Sequence, residues 1–166
     1  MAAARAALGR GTVASLLGSL LLAAAVPAVA AEGLAIVGAT VIDGTGAPAL
    51  ADAVIVVEGK KIRSVGPRSL VALPKGVPYV DGRGLFVVPG RLREPAVAAG
   101  LREKVRTGIA FERALAEVLR VSPSVPSEAT IAAGHSADLA LFDKDPRVSL
   151  DSVAKRVFVA GREVTP

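Results

Sequence analysis

The sequence predicts a mainly β protein with a small helical insert (α+β), built as a composite β-sandwich from both chain ends plus two amphipathic helices. Three observations support this prediction. Short apolar runs bounded by glycine and proline fill residues 34–88, a helical period occupies 95–120, and strand-like runs return after 137. Because strands and helices do not alternate regularly along the chain, there is no case for a parallel sheet.

The first strands are predicted from their apolar pattern. Residues 34–42 suit one or two short strands interrupted at Gly38, and 43–46 form a turn. The continuous apolar run 53–58 is typical of a strand that is buried on both faces. A Gly-Lys turn leads into 61–65, where polar and apolar residues alternate, and this pattern predicts a hairpin. The same signals predict further strands at 79–80, 86–88, 137–142, 153–159 and 162–164.

A change of period predicts two helices between the two groups of strands. Pro95 fits the first turn of a helix. Apolar side chains then recur at a four-residue spacing, at Val97, Leu101 and Val105. A second amphipathic helix is predicted over 109–120, and the prolines at 123 and 126 are expected to end it.

The first thirty residues have the order of a secretory signal peptide. Arg5 and Arg10 precede an apolar stretch at 13–26, and 28–30 form a small-x-small cleavage site. We expect an exported protein, periplasmic or secreted, with no stable membrane span after cleavage. The alternative is an uncleaved anchor, but the apolar run is short against the ~20 residues of a span. The mature domain 31–166 then comprises N-terminal strands (31–90), a helical connection (91–121) and C-terminal strands (130–166).

Composition excludes several classes of function. The chain has no cysteine, so neither a disulfide framework nor a thiolate metal site is available. Aromatic residues make up only 3%, too few for base-stacking platforms. Without the two arginines of the leader, the net charge falls from +5 to +3. We therefore expect no nucleic-acid partner.

Two sets of motifs carry a family resemblance. One set resembles the start of metal-dependent amidohydrolases, with the imidazolonepropionase-like and prolidase-like branches closest, and it lies at 39–46, 57–62 and 87–90. The other set resembles the end of the same family and lies at 131–143, 145–146 and 157–161. Each motif alone is ordinary strand-and-turn sequence, but their joint occurrence in the family's order is specific.

The resemblance implies a composite β-sandwich whose catalytic barrel is missing. In the family, the two chain ends meet in the sandwich, and a TIM-like barrel between them binds zinc or another divalent metal. The family's strand after the proline-glycine pair ends in His-x-His, whereas this chain continues from Gly90 as Arg91-Leu92-Arg93. The deletion is therefore placed shortly after Gly90. We expect no catalytic residue, no metal ligand and no cofactor.

His135 and Asp138 remain as weak candidate site residues. His135 is the only histidine, and we interpret it as an exposed turn residue because one imidazole without fixed partners is not a site. Asp43 and Asp138 are interpreted as carboxylates that bond nearby backbone. Ser136 lacks the strand-turn-helix context of a nucleophile. Asp143 and Asp145 are assigned to a strand-end turn rather than a calcium loop.

Three hypotheses about function remain open. The first is a non-catalytic structural or interaction module, which self-associates or binds a barrel-bearing protein through an exposed apolar face. The second is a metal-dependent hydrolase of carbon–nitrogen bonds completed in trans by a barrel-bearing partner. The third is a non-functional internal-deletion product.

Overall fold

A computed structural model describes residues 33–121 and 129–165 of the chain. The predicted signal peptide and the prolines at 123 and 126 lie outside these residues. The strands are β1 (Gly33–Val41), β2 (Leu50–Glu58), β3 (Lys61–Pro67), β4 (Tyr79–Asp81), β5 (Phe86–Pro89), β6 (Leu139–Phe142), β7 (Arg156–Val159) and β8 (Arg162–Val164). A 3₁₀ turn (Gly90–Arg93) and two helices, α1 (Pro95–Arg106) and α2 (Phe111–Val121), separate β5 from β6. Neither helix in this part of the chain is long and apolar enough to cross a membrane.

The strands form one open, mixed sheet. Their order is β3-β2-β1-β5-β6-β7-β8, and β4 pairs with β1 beside β5. The pairs of β1 with β4 and with β5 are parallel, and the other pairs are antiparallel. The sequence did not predict the two parallel pairs. They arise because β3 already runs in the direction of β1, and the connection 68–78 returns the chain to the starting end of the sheet, so that β4 and β5 run in that direction as well.

Gly38 forms a β-bulge in β1. The β1–β2 register steps from Val37 opposite Val54 directly to Ala39 opposite Ala53, which leaves Gly38 as the extra residue. Its φ of 84° lies in the region that glycine adopts without a steric penalty. The predicted interruption at Gly38 is therefore a bulge within a single strand. It keeps Ala39 on the side of the sheet that Ile36 faces.

The two halves of the sheet enclose a common core, as expected for a composite sandwich. In β2, Ile55 and Val57 face this core, whereas Val54 and Val56 face a smaller cluster on the opposite side. All four side chains are buried, which confirms the strand buried on both faces. The large side chains of the common core come from both chain ends: Ile36, Ile55, Ile62, Ile131, Leu139, Leu141 and Phe158.

Helices α1 and α2 cover the outer face of β5, β6 and β7. Pro95 occupies the first turn of α1, as predicted, because its missing N–H is not needed there. The second apolar cluster joins these helices to the sheet through Val88, Leu101, Leu115, Leu119, Ala140, Phe142 and Val157.

Several element boundaries differ from the predicted ones. β6 begins at Leu139 rather than at 137, because the N–H of Ala137 bonds the carbonyl of Lys60 instead of a strand of the sheet. β7 begins at Arg156 rather than at 153, and Val153 is 79% exposed. β2 extends back to Leu50, and the 3₁₀ turn after β5 was not predicted.

Candidate functional site

The two chain ends meet where β5 leaves the sheet and β6 enters it. Pro89 lies opposite Leu139 in this antiparallel pair. The N–H of Gly90 donates to the carbonyl of Asp138 at 2.9 Å. A Cβ on Gly90 would lie only 3.0 Å from the carbonyl carbon of Asp138, so a larger residue here would push the two strand ends apart by a few tenths of an ångström. Both candidate residues, His135 and Asp138, lie beside this junction.

Asp138 uses both carboxylate oxygens within the protein. Its Oδ1 accepts a hydrogen bond from the N–H of Ala160 at 2.7 Å, and its Oδ2 accepts one from the hydroxyl of Ser136 at 2.8 Å. Ala160 and Gly161 both have positive φ, 48° and 76°. This is the pattern of a two-residue type I′ turn between β7 and β8. Asp138 therefore ties the start of β6 to that turn.

The His135 side chain is also engaged. Its Nδ1 lies 3.0 Å from the hydroxyl and 3.1 Å from the carbonyl oxygen of Thr130. Because a carbonyl only accepts, the second contact requires a proton on Nδ1. The residue is half-buried, which corrects the expectation of an exposed turn residue. The cause is backbone pairing: the N–H of Ile62 donates to the carbonyl of His135, and the N–H of Gly134 donates to the carbonyl of Ile62.

The donors near His135 do not fit a catalytic zinc centre, which needs about three protein ligands. Within residues 33–121 and 129–165, no group of three or more His, Cys, Asp or Glu side chains is placed to hold a metal ion. His135 bonds Thr130, and both oxygens of Asp138 are occupied by donors from the chain.

The remaining acidic candidates are held in turns and ion pairs. Asp43 Oδ1 accepts from both the N–H and the hydroxyl of Thr45 at 2.8 Å. The Arg147 side chain binds both oxygens of Asp145 and holds the pKa of that carboxyl below its usual range. Asp143 pairs with Lys155 at 3.1 Å, and this contact lowers its pKa as well. This supports the assignment of 143–146 to a turn.

An ion pair occupies the position where the resemblance implies His-x-His. The Arg91 guanidinium donates from Nε and Nη2 to the two oxygens of Glu94, each at 2.6 Å. This bidentate contact raises the pKa of Arg91 and lowers that of Glu94. It closes the 3₁₀ turn and places Glu94 immediately before α1.

A cleft between α1 and the segment 146–154 was not predicted from the sequence. Its volume is about 420 Å³. The apolar lining includes Leu101, Phe111, Phe142 and Ala154, and the guanidinium groups of Arg93 and Arg102 stand among its polar lining residues. The sequence contained no signal for it, because each of its two arginines is followed directly by a glutamate in the chain, Arg93 by Glu94 and Arg102 by Glu103.

No protein-family model and no curated protein matches the chain. The chain has a partial structural match to members of the amidohydrolase family. Phenylurea hydrolase B is 36% identical over 35% of this chain and 13% of its own, with a TM-score of 0.34. A putative prolidase from Bifidobacterium longum is 34% identical over 36% of this chain and 15% of its own, also with a TM-score of 0.34. Molinate hydrolase is 26% identical over 53% of this chain and 20% of its own, with the same TM-score. The chain therefore spans 13–20% of the length of these three proteins.

Proposed function

We propose that this chain is a non-catalytic structural or interaction module related to the β domain of amidohydrolases. The observation that carries the proposal is the short connection between β5 and β6, which pair directly with Val87 opposite Leu141. The connection between these strands runs only over residues 90–138, and its helices pack on the sheet. A TIM-like barrel takes roughly 200 residues or more, so this connection is too short to contain one.

The side-chain inventory supports the same proposal. The whole sequence contains one histidine and no cysteine, whereas catalytic zinc is bound mostly by imidazole, thiolate and carboxylate groups together. The single imidazole bonds Thr130, and the neighbouring Asp138 bonds Ala160 and Ser136. Metal binding by Asp138 would compete with contacts that the fold uses, and the Nε2 of His135 by itself would supply only one ligand.

Zinc loading followed by an activity assay tests the proposal. The purified chain is incubated with zinc and dialysed, its metal content is measured, and hydrolysis of amide and dipeptide substrates is assayed. We expect far less than one zinc per chain and no turnover, both in the parent and in His135→Ala. One tightly bound zinc with chelator-sensitive turnover, both lost in His135→Ala, would contradict the proposal.

We propose a protein partner for this module because large apolar side chains stand in solvent. Val148 is 86% exposed beside the helices, and Leu70 and Tyr79 are 80% and 71% exposed near β3 and β4. Burial of apolar surface drives most association. The partner is either a second copy or a barrel-bearing protein. A molar mass that rises to the dimer with concentration identifies a second copy, and a constant monomer mass excludes it.

A hydrolase completed in trans is the second candidate function. It is favoured by the pairing of the two motif-bearing segments, 87–90 and 139–142, in one sheet that a barrel could contact. Co-purification from the native source, followed by recovery of carbon–nitrogen bond hydrolysis on mixing, is the expected result. A barrel-bearing protein with full activity in the absence of this chain would rule the candidate out.

We further propose that the chain is exported and processed. The proposal rests on the order of the arginines, the apolar run and the small residues at 28–30 in the sequence. Expression with the native N-terminus in a secretion-competent bacterium, followed by N-terminal sequencing, is expected to give Ala31 or Glu32 as the first residue. A chain that retains Met1 in the membrane fraction would indicate an uncleaved anchor instead.

A further inference from the structure

The cleft beside α1 has the size and lining of a small-molecule site. Its volume of about 420 Å³ lies within the range of roughly 300–1,000 Å³ that such sites occupy. Leu101 and Phe111 are buried in the second apolar cluster, and Phe142 and Ala154 belong to the same cluster. The buried part of the lining is therefore apolar and consists of packed residues of α1, α2, β6 and the segment before β7.

The charged groups of the cleft leave an excess of positive charge. Arg93 forms no ion pair within residues 33–121 and 129–165, and it is exposed. Arg102 makes a single contact of 3.1 Å, from Nε to Asp151, whose side chain is 89% exposed. The cleft is thus lined by two guanidinium groups, and only that of Arg102 contacts a carboxylate. Arg147, next to the lining residue Pro146, is balanced by Asp145 and Glu112.

We propose that this cleft binds an amphipathic monocarboxylate. The apolar body of the ligand packs against Leu101, Phe111 and Phe142. Its carboxylate is bound by Arg93, because a guanidinium presents a planar fork that matches a carboxylate. The positive charge of Arg102 also attracts the ligand carboxylate, but Arg102 does not bind it directly because its guanidinium already pairs with Asp151. The inference does not depend on the proposed function.

Octanoate is the probe, with octanol and octylamine as controls for chain length and charge. Binding to the purified full chain is followed by amide chemical shifts in ¹H–¹⁵N NMR spectra. We expect saturable shifts at Ala98, Ser149 and Ala154, which line the cleft. Octanol is expected to bind at least roughly tenfold more weakly because it lacks the charge-assisted hydrogen bonds. Octylamine is expected not to bind.

Two variants distinguish specific binding from general charge effects. Arg93→Gln is expected to weaken octanoate binding roughly tenfold. Arg63 is an exposed arginine on β3 that pairs with Glu58 of β2, and Arg63→Gln is expected to leave binding unchanged. Ala98→Phe, which places a ring in the cleft, is expected to abolish binding while the remaining spectrum is retained. If Ala98→Phe does not fold, the pair of arginine variants still decides the question.

Three results would overturn the proposal. The first is equal binding of octanol and octanoate, and the second is an equal effect of Arg63→Gln and Arg93→Gln. The third is a set of shifts at the cleft amides that grows with protein concentration in the absence of octanoate, which would show that a second copy occupies the cleft.

Discussion

The carboxylate of Asp138 accepts a 2.7 Å hydrogen bond from the backbone N–H of Ala160 and thereby joins the start of β6 to the β7–β8 turn. Ala160 has a φ of 48°, which is uncommon for a residue with a Cβ. The hydrogen bond therefore stabilises a backbone conformation that alanine does not favour by itself. The residue that sequence motifs mark as a weak site candidate has a structural role in this chain.

Replacement of Asp138 is expected to lower stability through this contact. Asp138→Ala leaves the N–H of Ala160 without its acceptor and should lower the free energy of unfolding by about 1–3 kcal/mol. Asp138→Asn keeps a side-chain oxygen and should cost less. Urea unfolding monitored by circular dichroism measures both. The control is Ser136→Ala, which removes only the hydroxyl that donates to Oδ2 of Asp138. An Asp138→Ala protein as stable as the parent would contradict the structural role of Asp138.

Gly161 and Gly84 form a matched pair for a steric test. Their φ values are 76° and 74°, but a Cβ on Gly161 would overlap the carbonyl oxygen of Gly59, whereas Gly84 has open space. Gly84→Ala should lower the free energy of unfolding by about 1–2 kcal/mol, which is the cost of a left-handed backbone conformation in a residue with a Cβ. Gly161→Ala should cost a further 1–3 kcal/mol, because the β2–β3 turn must move. Equal midpoints in urea would show that the two turns do not pack together.

Packing of α2 on the sheet is tested with two leucines. Leu115 is fully buried in the second apolar cluster, and Leu70 is 80% exposed. Leu115→Ala should lower the free energy of unfolding by about 2–5 kcal/mol, since it leaves a cavity. Leu70→Ala should change it by no more than about 0.5 kcal/mol. A small effect at Leu115 would mean that α2 is not docked on β5 and β6.

Asp81 should titrate at unusually low pH. Side-chain hydrogen bonds from Arg83 lower its pKa from 3.8 to about 2. The stabilisation by this pair is therefore complete above 3.8, where the carboxyl is ionised in both folded and unfolded chains, and it is lost as the pH falls to about 2. Carbon-13 NMR of the Asp81 carboxyl gives the pKa directly. Arg83→Gln should return it towards 3.8, and Arg63→Gln should leave it unchanged.

Local pattern predicted the elements whose packing is simple. The run 53–57 is apolar at every position because one face meets the common core and the other meets Val37 and Ala35. The four-residue spacing predicted α1 because only one of its faces contacts the sheet. In both cases burial follows from the period of the element itself, so no information about distant parts of the chain was needed.

Features that depend on distant partners were not predicted. The parallel pairing of β1 with β5 follows from the path of the connection 68–78, and His135 is half-buried because its carbonyl pairs with Ile62. The cleft is formed by α1 and the segment 146–154, which are far apart in sequence. Its charge excess depends on which acids reach Arg93 in space, and no spacing rule in one sequence contains that information.

Because β5 pairs directly with β6, the stability of the sheet depends little on the length of the chain that connects these two strands. The chain leaves the sheet at Pro89 and returns opposite it at Leu139, with adjacent ends. Lengthening a connection whose ends are already fixed costs only about 0.6 kcal/mol for each doubling, because loop-closure entropy grows with the logarithm of length. The same strand pair is therefore compatible with a two-helix link or with an entire inserted domain, and evolution can exchange one for the other without redesigning the sheet.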